Sequence, residues 1–281
     1  MQLSAGIKNF WISVISYLLV GFCLFLYLVA SNGWKLTNLL SLPGFIGLIV
    51  VVAVAIFPLL WFLSHLKSQL IKVLPDDVQF NKVVPTDYPW LDLATLSEQT
   101  TTLESLGFIQ LIDHDIPSAL GFSRSLAHPQ QYCFAEIGQL FQVTGGIITH
   151  HLCIFSILEQ DWALAEINKA VSNVDAISYI WRHPKQIRRY HSNMKLDELF
   201  QSHLKFRQQI LTDLNINLST DTSWSFFQRI EEQAAIFRKQ TMRRKNILLS
   251  MLETTLFEMN PKSEWLGDYP KEAAKRRKTC H

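Results

Sequence analysis

Two long uncharged apolar runs near the start of the chain restrict its fold more than any other feature. The first extends from Phe10 to Ala30 and the second from Leu39 to Leu63. Each is at least as long as the roughly 20 residues that a helix needs to cross a hydrocarbon layer about 30 Å thick. The polar segment between them, residues 31–38, predicts a hairpin of two transmembrane helices. A cleaved signal peptide is the alternative for the first run, but such peptides have a shorter apolar stretch.

Lysines near the helix ends predict how the hairpin is oriented. Lys8 precedes the first run and Lys67, Lys72 and Lys82 follow the second, whereas Lys35 alone lies in the turn. Because basic residues accumulate on the cytoplasmic side, both termini are expected in the cytoplasm. The expected location is therefore an integral two-helix protein of the plasma membrane or an internal membrane, with the lipid bilayer as its first partner.

Nearly all the charges of the chain lie in the part that follows the hairpin. Only 18% of the 281 residues are charged, against about a quarter in soluble domains. Lys8 and Lys35 are the only charged residues among the first 66, and removing them from the 26 basic residues leaves 24, equal to the 24 acidic ones. This pattern excludes a fully soluble protein, a disordered chain and a protein that binds polyanions over its whole length.

The sequence predicts an α+β cytoplasmic domain, an antiparallel meander sheet followed by helices, anchored by an N-terminal two-helix transmembrane hairpin. A helix begins near Trp90 and ends at Gly107, and helices are predicted at 196–214 and 223–259 from their 3.6-residue periodicity. The predicted strands are 108–113, 119–127, 132–141, 147–158, 162–168 and 177–183. The predicted segments are a hairpin with an interfacial extension (1–74), a Pro-rich linker (75–89), the α+β domain (90–265) and a basic C-terminal tail (266–281).

The predicted helix 223–259 has a defect in its apolar face. Phe226, Ile230 and Phe237 share that face with Leu252 and Met259. Between these two groups the face is occupied by the polar or basic residues Thr241, Arg244 and Lys245. The helix is therefore expected either to break there or to expose a basic middle.

The usual signatures of catalysis and metal binding are absent from the sequence. It contains no HExxH, GxSxG, GxxxxGK[ST] or GxGxxG motif. The four cysteines form no CxxC pair. We therefore predict no metal site and no cofactor.

Histidines offer one enzymatic alternative. His203 and Arg207 lie one turn apart on the predicted apolar face of helix 196–214, and His151 lies on a predicted strand. Together they would form a His/Arg pocket of a membrane-tethered enzyme of unrecognised class. The competing interpretation is a buried histidine satisfied by a hydrogen bond, which is the more common situation.

Basic clusters give the stronger functional indication. No acid occurs between Asp175 and Asp197, or between Glu232 and Glu253. The residues expected to dock on a membrane surface or a partner are Arg182, Lys185, Arg188, Arg189, Arg243, Arg244 and Lys245. Such cations attract anionic lipid headgroups, although they are also compatible with a solvated surface. No nucleic acid is expected, since no RNA- or DNA-binding motif is present.

These patterns predict a membrane-anchored, non-enzymatic protein. Its cytoplasmic α+β domain is expected to bind anionic lipid headgroups or another membrane protein, in an assembly or regulatory role. The sequence identifies neither a reaction nor a named partner.

Overall fold

The computed structural model describes residues 3–31, 42–74, 78–116 and 119–279. They form two compact units. The first contains residues 1–73 and 242–260, and the second contains residues 74–241 and 261–281. Residues 242–260, which the sequence assigned to the α+β domain, thus cluster with the N-terminal residues 1–73.

The first unit contains α1 (Ala5–Ser31), α2 (Leu42–Val73) and α7 (Ile247–Met259). A cluster of Phe10, Val14, Leu63 and Ile247 joins the three helices. Within the described residues, α1 alone is long and apolar enough to cross a membrane, a criterion of length and composition. The turn that carries Lys35 and the start of the second predicted span lie outside the described residues.

The second unit is an α+β fold built on one seven-stranded sheet in the order β1-β2-β3-β4-β5-β6-β7. The strands are β1 (Ile109–Asp115), β2 (Gly121–His128), β3 (Cys133–Phe141), β4 (Ile147–Ile157), β5 (Ala163–Ile167), β6 (Gln186–Tyr190) and β7 (Glu264–Trp265). The helices are α3 (Leu93–Ser105), α4 (Asn173–Ile180), α5 (Leu196–Leu214), α6 (Trp224–Arg244), whose last residues belong to the first unit, and α8 (Tyr269–Thr279).

The sheet is mostly antiparallel, as the sequence predicted, but it is not a simple meander. Strands β5 and β6 are parallel neighbours, and α4 lies between them in the chain. The predicted strand 177–183 is wrong, because α4 extends to Ile180 and the strand begins at Gln186. A capping box between Ser172 and Asp175 favours the helix.

Two layers of helices cover the two faces of the sheet. On one face, α3 and α5 bury a core that includes Leu103, Phe122, Ile154 and Leu199. On the other face, the first half of α6 packs Phe226 and Phe227 against Phe134. The predicted basic tail forms α8, whose residues Tyr269 and Ala273 are buried beside α5. The two faces of the sheet therefore pack against different helices and form separate hydrophobic cores.

The predicted helix 223–259 is broken into α6 and α7. Lys245 and Asn246 separate the two helices, and the Asn246 side chain accepts hydrogen bonds from the backbone N–H groups of Leu248 (2.9 Å) and Leu249 (3.4 Å). Asparagine is a favoured N-cap because its oxygen satisfies donors that have no partner within the helix. The structure thus takes the first of the two arrangements that the sequence allowed.

Candidate functional site: a cleft between the sheet and helix α6

A cavity of about 950 Å³ lies between α6 and the face of β3–β6 that α6 covers. Its floor is made of cross-strand rows, of which one contains Phe155, Ala165 and Arg188 and the next contains Ile157, Ala163 and Gln186. Because β5 contributes only alanine side chains to these rows, the floor is hollow between the larger residues on either side. We call this cavity the cleft.

The walls of the cleft are largely apolar. Helix α6 contributes Phe226, Ile230 and Phe237, which follow one another at helical spacing along its inner face. The Phe237 ring contacts the imidazole of His183 edge to face, with 4.3 Å between centroids. Burial lowers the pKa of His183. The apolar part of a ligand would therefore fit against these side chains of α6.

A polar cluster occupies the end of the cleft nearest β3. The Ser123 hydroxyl donates a hydrogen bond of 2.6 Å to Glu136, and His151 Nε2 lies 3.9 Å from the same carboxylate oxygen. Burial raises the pKa of Glu136, but its contacts with His151, Ser123 and His114 lower it more, to about 2. The carboxylate is therefore ionised at neutral pH and faces the His151 ring.

The imidazole of His151 is placed by the glycine on the neighbouring strand. Gly138 pairs with His151, and a Cβ on residue 138 would overlap the imidazole ring. Close approach of a side chain to a strand is one reason for a glycine within it. This contact could not be predicted from the sequence, since it depends on the register of β3 and β4.

The thiol of Cys153 also lines the cleft, next to Glu136 on the paired strand. Burial raises its pKa well above the ordinary value, and the Glu136 charge raises it further. A thiol of this kind stays protonated, whereas a nucleophilic cysteine needs a lowered pKa. Cys153 is therefore an apolar part of the wall.

Arg188 is the cation of the cleft that forms no ion pair among the described residues. Its guanidinium contacts the Gln186 side-chain oxygen at 3.3 Å and lies 5.3 Å from the Trp265 ring. The other two cations of the lining are paired, Lys169 with Asp175 at 3.0 Å and Arg238 with Glu231 at 3.4 Å. Arg188 is thus the group on the floor that is best placed to bind an anion.

The remaining predicted docking residues of this segment lie outside the lining. Arg182 stacks over the Tyr179 ring at 3.7 Å, and Lys185 donates to the carbonyl oxygen of Gln160. Arg189 points to the opposite face of β6, where it forms an ion pair with Glu166 at 2.9 Å. Of the four predicted docking residues between 182 and 189, only Arg188 therefore lines the cleft.

The second predicted docking group lies in the first unit. Arg243 and Arg244 are exposed, while Lys245 forms an ion pair with Glu253 at 3.0 Å. Lys67 of α2 donates to the backbone carbonyls of Arg243 (2.7 Å) and Lys245 (2.9 Å). The end of α6 is thus hydrogen-bonded to α2 through Lys67.

The candidate catalytic residues do not converge on one site. His203 and Arg207 meet Ser156 on the α5 side of the sheet, at 2.8 Å and 3.0 Å from its hydroxyl oxygen, whereas His151 lines the cleft on the other side. Burial lowers the pKa of His203 to about 3, and the charge of Arg207 contributes to that shift. Both Ser156 and His203 are fully buried, and the Ser156 hydroxyl is the partner of His203 Nε2, whereas His203 Nδ1 has no hydrogen-bond partner among the described residues.

Within the part of the chain that the structure describes, no three His, Cys, Asp or Glu side chains are close enough to share a metal ion. Comparison of the chain with known protein families, with curated proteins and with solved structures found no match.

Proposed function

We propose that this chain is a non-enzymatic two-pass membrane protein whose α+β unit binds an anionic amphiphile of the membrane in the cleft, in an assembly or regulatory role. Both ends of the hairpin, and the α+β unit, would lie on the cytoplasmic side. The length and composition of α1 and the uncharged run 39–63 support the hairpin. The lysines at its two ends support the orientation.

Arg188 on the floor of the cleft is the main reason for proposing an anionic ligand. An arginine without an ion pair attracts phosphate or carboxylate groups, which its planar guanidinium binds through two parallel hydrogen bonds. The same cleft is lined by the large apolar side chains of Phe226, Ile230 and Phe237 from α6. A cavity of about 950 Å³ is at the upper end of the size range of ligand sites. A molecule with an anionic head and an apolar tail fits both features.

Docking on another membrane protein is the second candidate. It is favoured by Arg182 and Lys185, two cations that are near Arg188 in the chain but do not line the cleft. A protein partner or a flat lipid surface would use such cations together with Arg188. A ligand held in the cleft would depend on Arg188 alone. The membrane-tethered enzyme is a weaker third candidate, since His151 and His203 belong to opposite faces of the sheet.

Analysis of the lipids retained by the full chain tests the proposal. Protein extracted from membranes in a mild detergent would be analysed by mass spectrometry as the wild type and as two variants, Arg188→Ala and Lys185→Ala. We expect a stoichiometric anionic lipid in the wild type and in Lys185→Ala. Its amount should fall by about tenfold or more in Arg188→Ala, as for the loss of a charge-assisted hydrogen bond.

Equal losses in the two variants would favour a docking surface in place of the cleft. Retention of a neutral lipid, or of no lipid by the wild type, would contradict the proposed ligand class. Circular dichroism of each variant checks that the fold is intact.

A further inference from the structure

Helix α7 has an inverted distribution of polar and apolar side chains. Its exposed residues include Leu249 (61% exposed), Leu252 (43%), Leu256 (57%) and Met259 (63%). Its buried residues are the apolar Ile247 and Phe257 and the polar Ser250, Thr254 and Glu258. A helix on the surface of a water-soluble domain has the opposite arrangement.

The exposed apolar residues form one continuous stripe. Positions 249, 252, 256 and 259 follow the three- and four-residue spacing of a single helix face. We call these four residues the leucine stripe. Exposed apolar residues are common singly, but a contiguous patch indicates a surface that contacts something other than water.

The buried polar groups of α7 are satisfied within the first unit. Ser250 and Thr254 donate to the backbone carbonyls four residues earlier, at 3.0 Å and 2.9 Å. Glu258 accepts a hydrogen bond of 2.8 Å from the backbone N–H of Ser4. Each of these three buried side chains thus has a hydrogen-bond partner, so their burial is compatible with a stable helix.

Helix α7 is fixed against the ends of the hairpin helices that carry Lys8 and Lys67. Trp11 donates its indole N–H to Thr255 at 2.8 Å, and Ile247 is buried against Phe10 and Leu63. The part of α1 that follows Trp11 is also exposed and apolar, since Ile12, Ile15 and Leu18 are each more than half exposed. The leucine stripe is thus attached to the helix that supplies the first apolar run.

We propose that α7 is a third membrane element, which lies in the cytoplasmic interface with the leucine stripe in the acyl chains of the leaflet that the hairpin crosses. Its 13 residues span about 20 Å, too short to cross a bilayer. An interfacial helix instead places its apolar face among the acyl chains and its cations at the headgroups. Exposed Arg243 and Arg244 just before α7 match anionic headgroups.

This inference rests on the proposed hairpin, and photo-crosslinking separates the two. The photoreactive residue p-benzoylphenylalanine would replace Leu252, Leu18 or Val143, one at a time, in the full chain reconstituted in phosphatidylcholine–phosphatidylglycerol vesicles. Leu18 reports on the α1 span. Val143, which is 90% exposed in the turn between β3 and β4, is the matched exposed apolar control. Leu256 provides a second position on the stripe.

We expect lipid adducts at Leu252 and Leu256 with yields within about threefold of that at Leu18 and at least about tenfold above that at Val143, as for a helix buried at the acyl boundary. Adducts at Leu18 but only background at both stripe positions would overturn the inference and leave the hairpin intact. Adducts between two copies of the chain at the stripe, without lipid adducts, would overturn it as well. Background yield at Leu18 would contradict the hairpin itself.

Discussion

The imidazole of His151 lies over Gly138 on the neighbouring strand, in the space that a Cβ on residue 138 would occupy. This contact sets His151 Nε2 3.9 Å from the Glu136 carboxylate at the polar end of the cleft. One residue without a side chain therefore determines where a titratable group of the candidate site lies.

Gly138→Ala is expected to lower the free energy of unfolding by about 1–3 kcal/mol, because the added methyl group forces the ring out of its position. Urea unfolding of the full chain in nanodiscs measures this. In a His151→Ala background the same substitution should cost much less, since the clashing ring is gone. An equal cost in both backgrounds would show that the overlap with His151 is not the cause.

Acid should weaken the polar cluster through Glu136. Its pKa is about 2 in the folded chain, below the ordinary value of 4.5, so the folded state holds the charged form. The stabilisation is fully present above about pH 4.5 and is lost as the pH falls towards about 2. Glu136→Gln should flatten the dependence of unfolding free energy on pH in this range, whereas the exposed control Glu104→Gln should retain it. A wild-type profile in Glu136→Gln would refute this role.

His203 predicts a second pH dependence at higher pH. Its pKa is about 3 in the folded chain because of burial and the charges of Arg207 and Arg189. The unfolded chain takes up this proton near pH 6.5, so stability is full above that pH and decreases as the pH falls to about 3. His203→Gln, measured by unfolding between pH 4 and 7, should reduce the slope. The exposed control His150→Gln should keep the slope, and identical slopes in both variants would contradict the assignment.

The break between α6 and α7 depends on the Asn246 cap. Asn246→Ala removes the acceptor of the Leu248 and Leu249 N–H groups and should lower the free energy of unfolding by about 1 kcal/mol. Asn246→Asp keeps an acceptor oxygen and should be close to the wild type. Thermal unfolding in nanodiscs compares the two. A neutral effect of alanine would mean that the packing of α7 alone determines where it begins.

Local sequence signals predicted much of the second unit. The periodic helix 196–214 is α5 with the same bounds, and Gly107 ends α3 with a positive φ of +97°. These features depend on neighbours along the chain. The predicted strand 177–183 was wrong because its aromatic and β-branched residues also suit a capped helix, and the true strand at 186–190 carries two adjacent arginines.

The candidate site could not be predicted from local sequence patterns. The hollow floor depends on how Ala163 and Ala165 align with β4 and β6, and this register is a property of the folded sheet. Similarly, the sequence placed Leu252 and Met259 on one apolar face with Ile230. The break at Asn246 separates them, and both side chains are exposed in the structure.

Binding of a short anionic amphiphile measures whether the cleft holds an anionic head and an apolar tail. The full chain in nanodiscs would be titrated with hexyl phosphate and with hexyltrimethylammonium, as the wild type and as Ala165→Phe, which fills the hollow floor. Empty nanodiscs provide the partition background. We expect the wild type to bind hexyl phosphate saturably and not to bind hexyltrimethylammonium. Ala165→Phe should lose the binding of hexyl phosphate, with its free energy of unfolding unchanged within about 1 kcal/mol, as for a substitution into open space. Equal binding of both probes, or undiminished binding of the phosphate by Ala165→Phe, would contradict it.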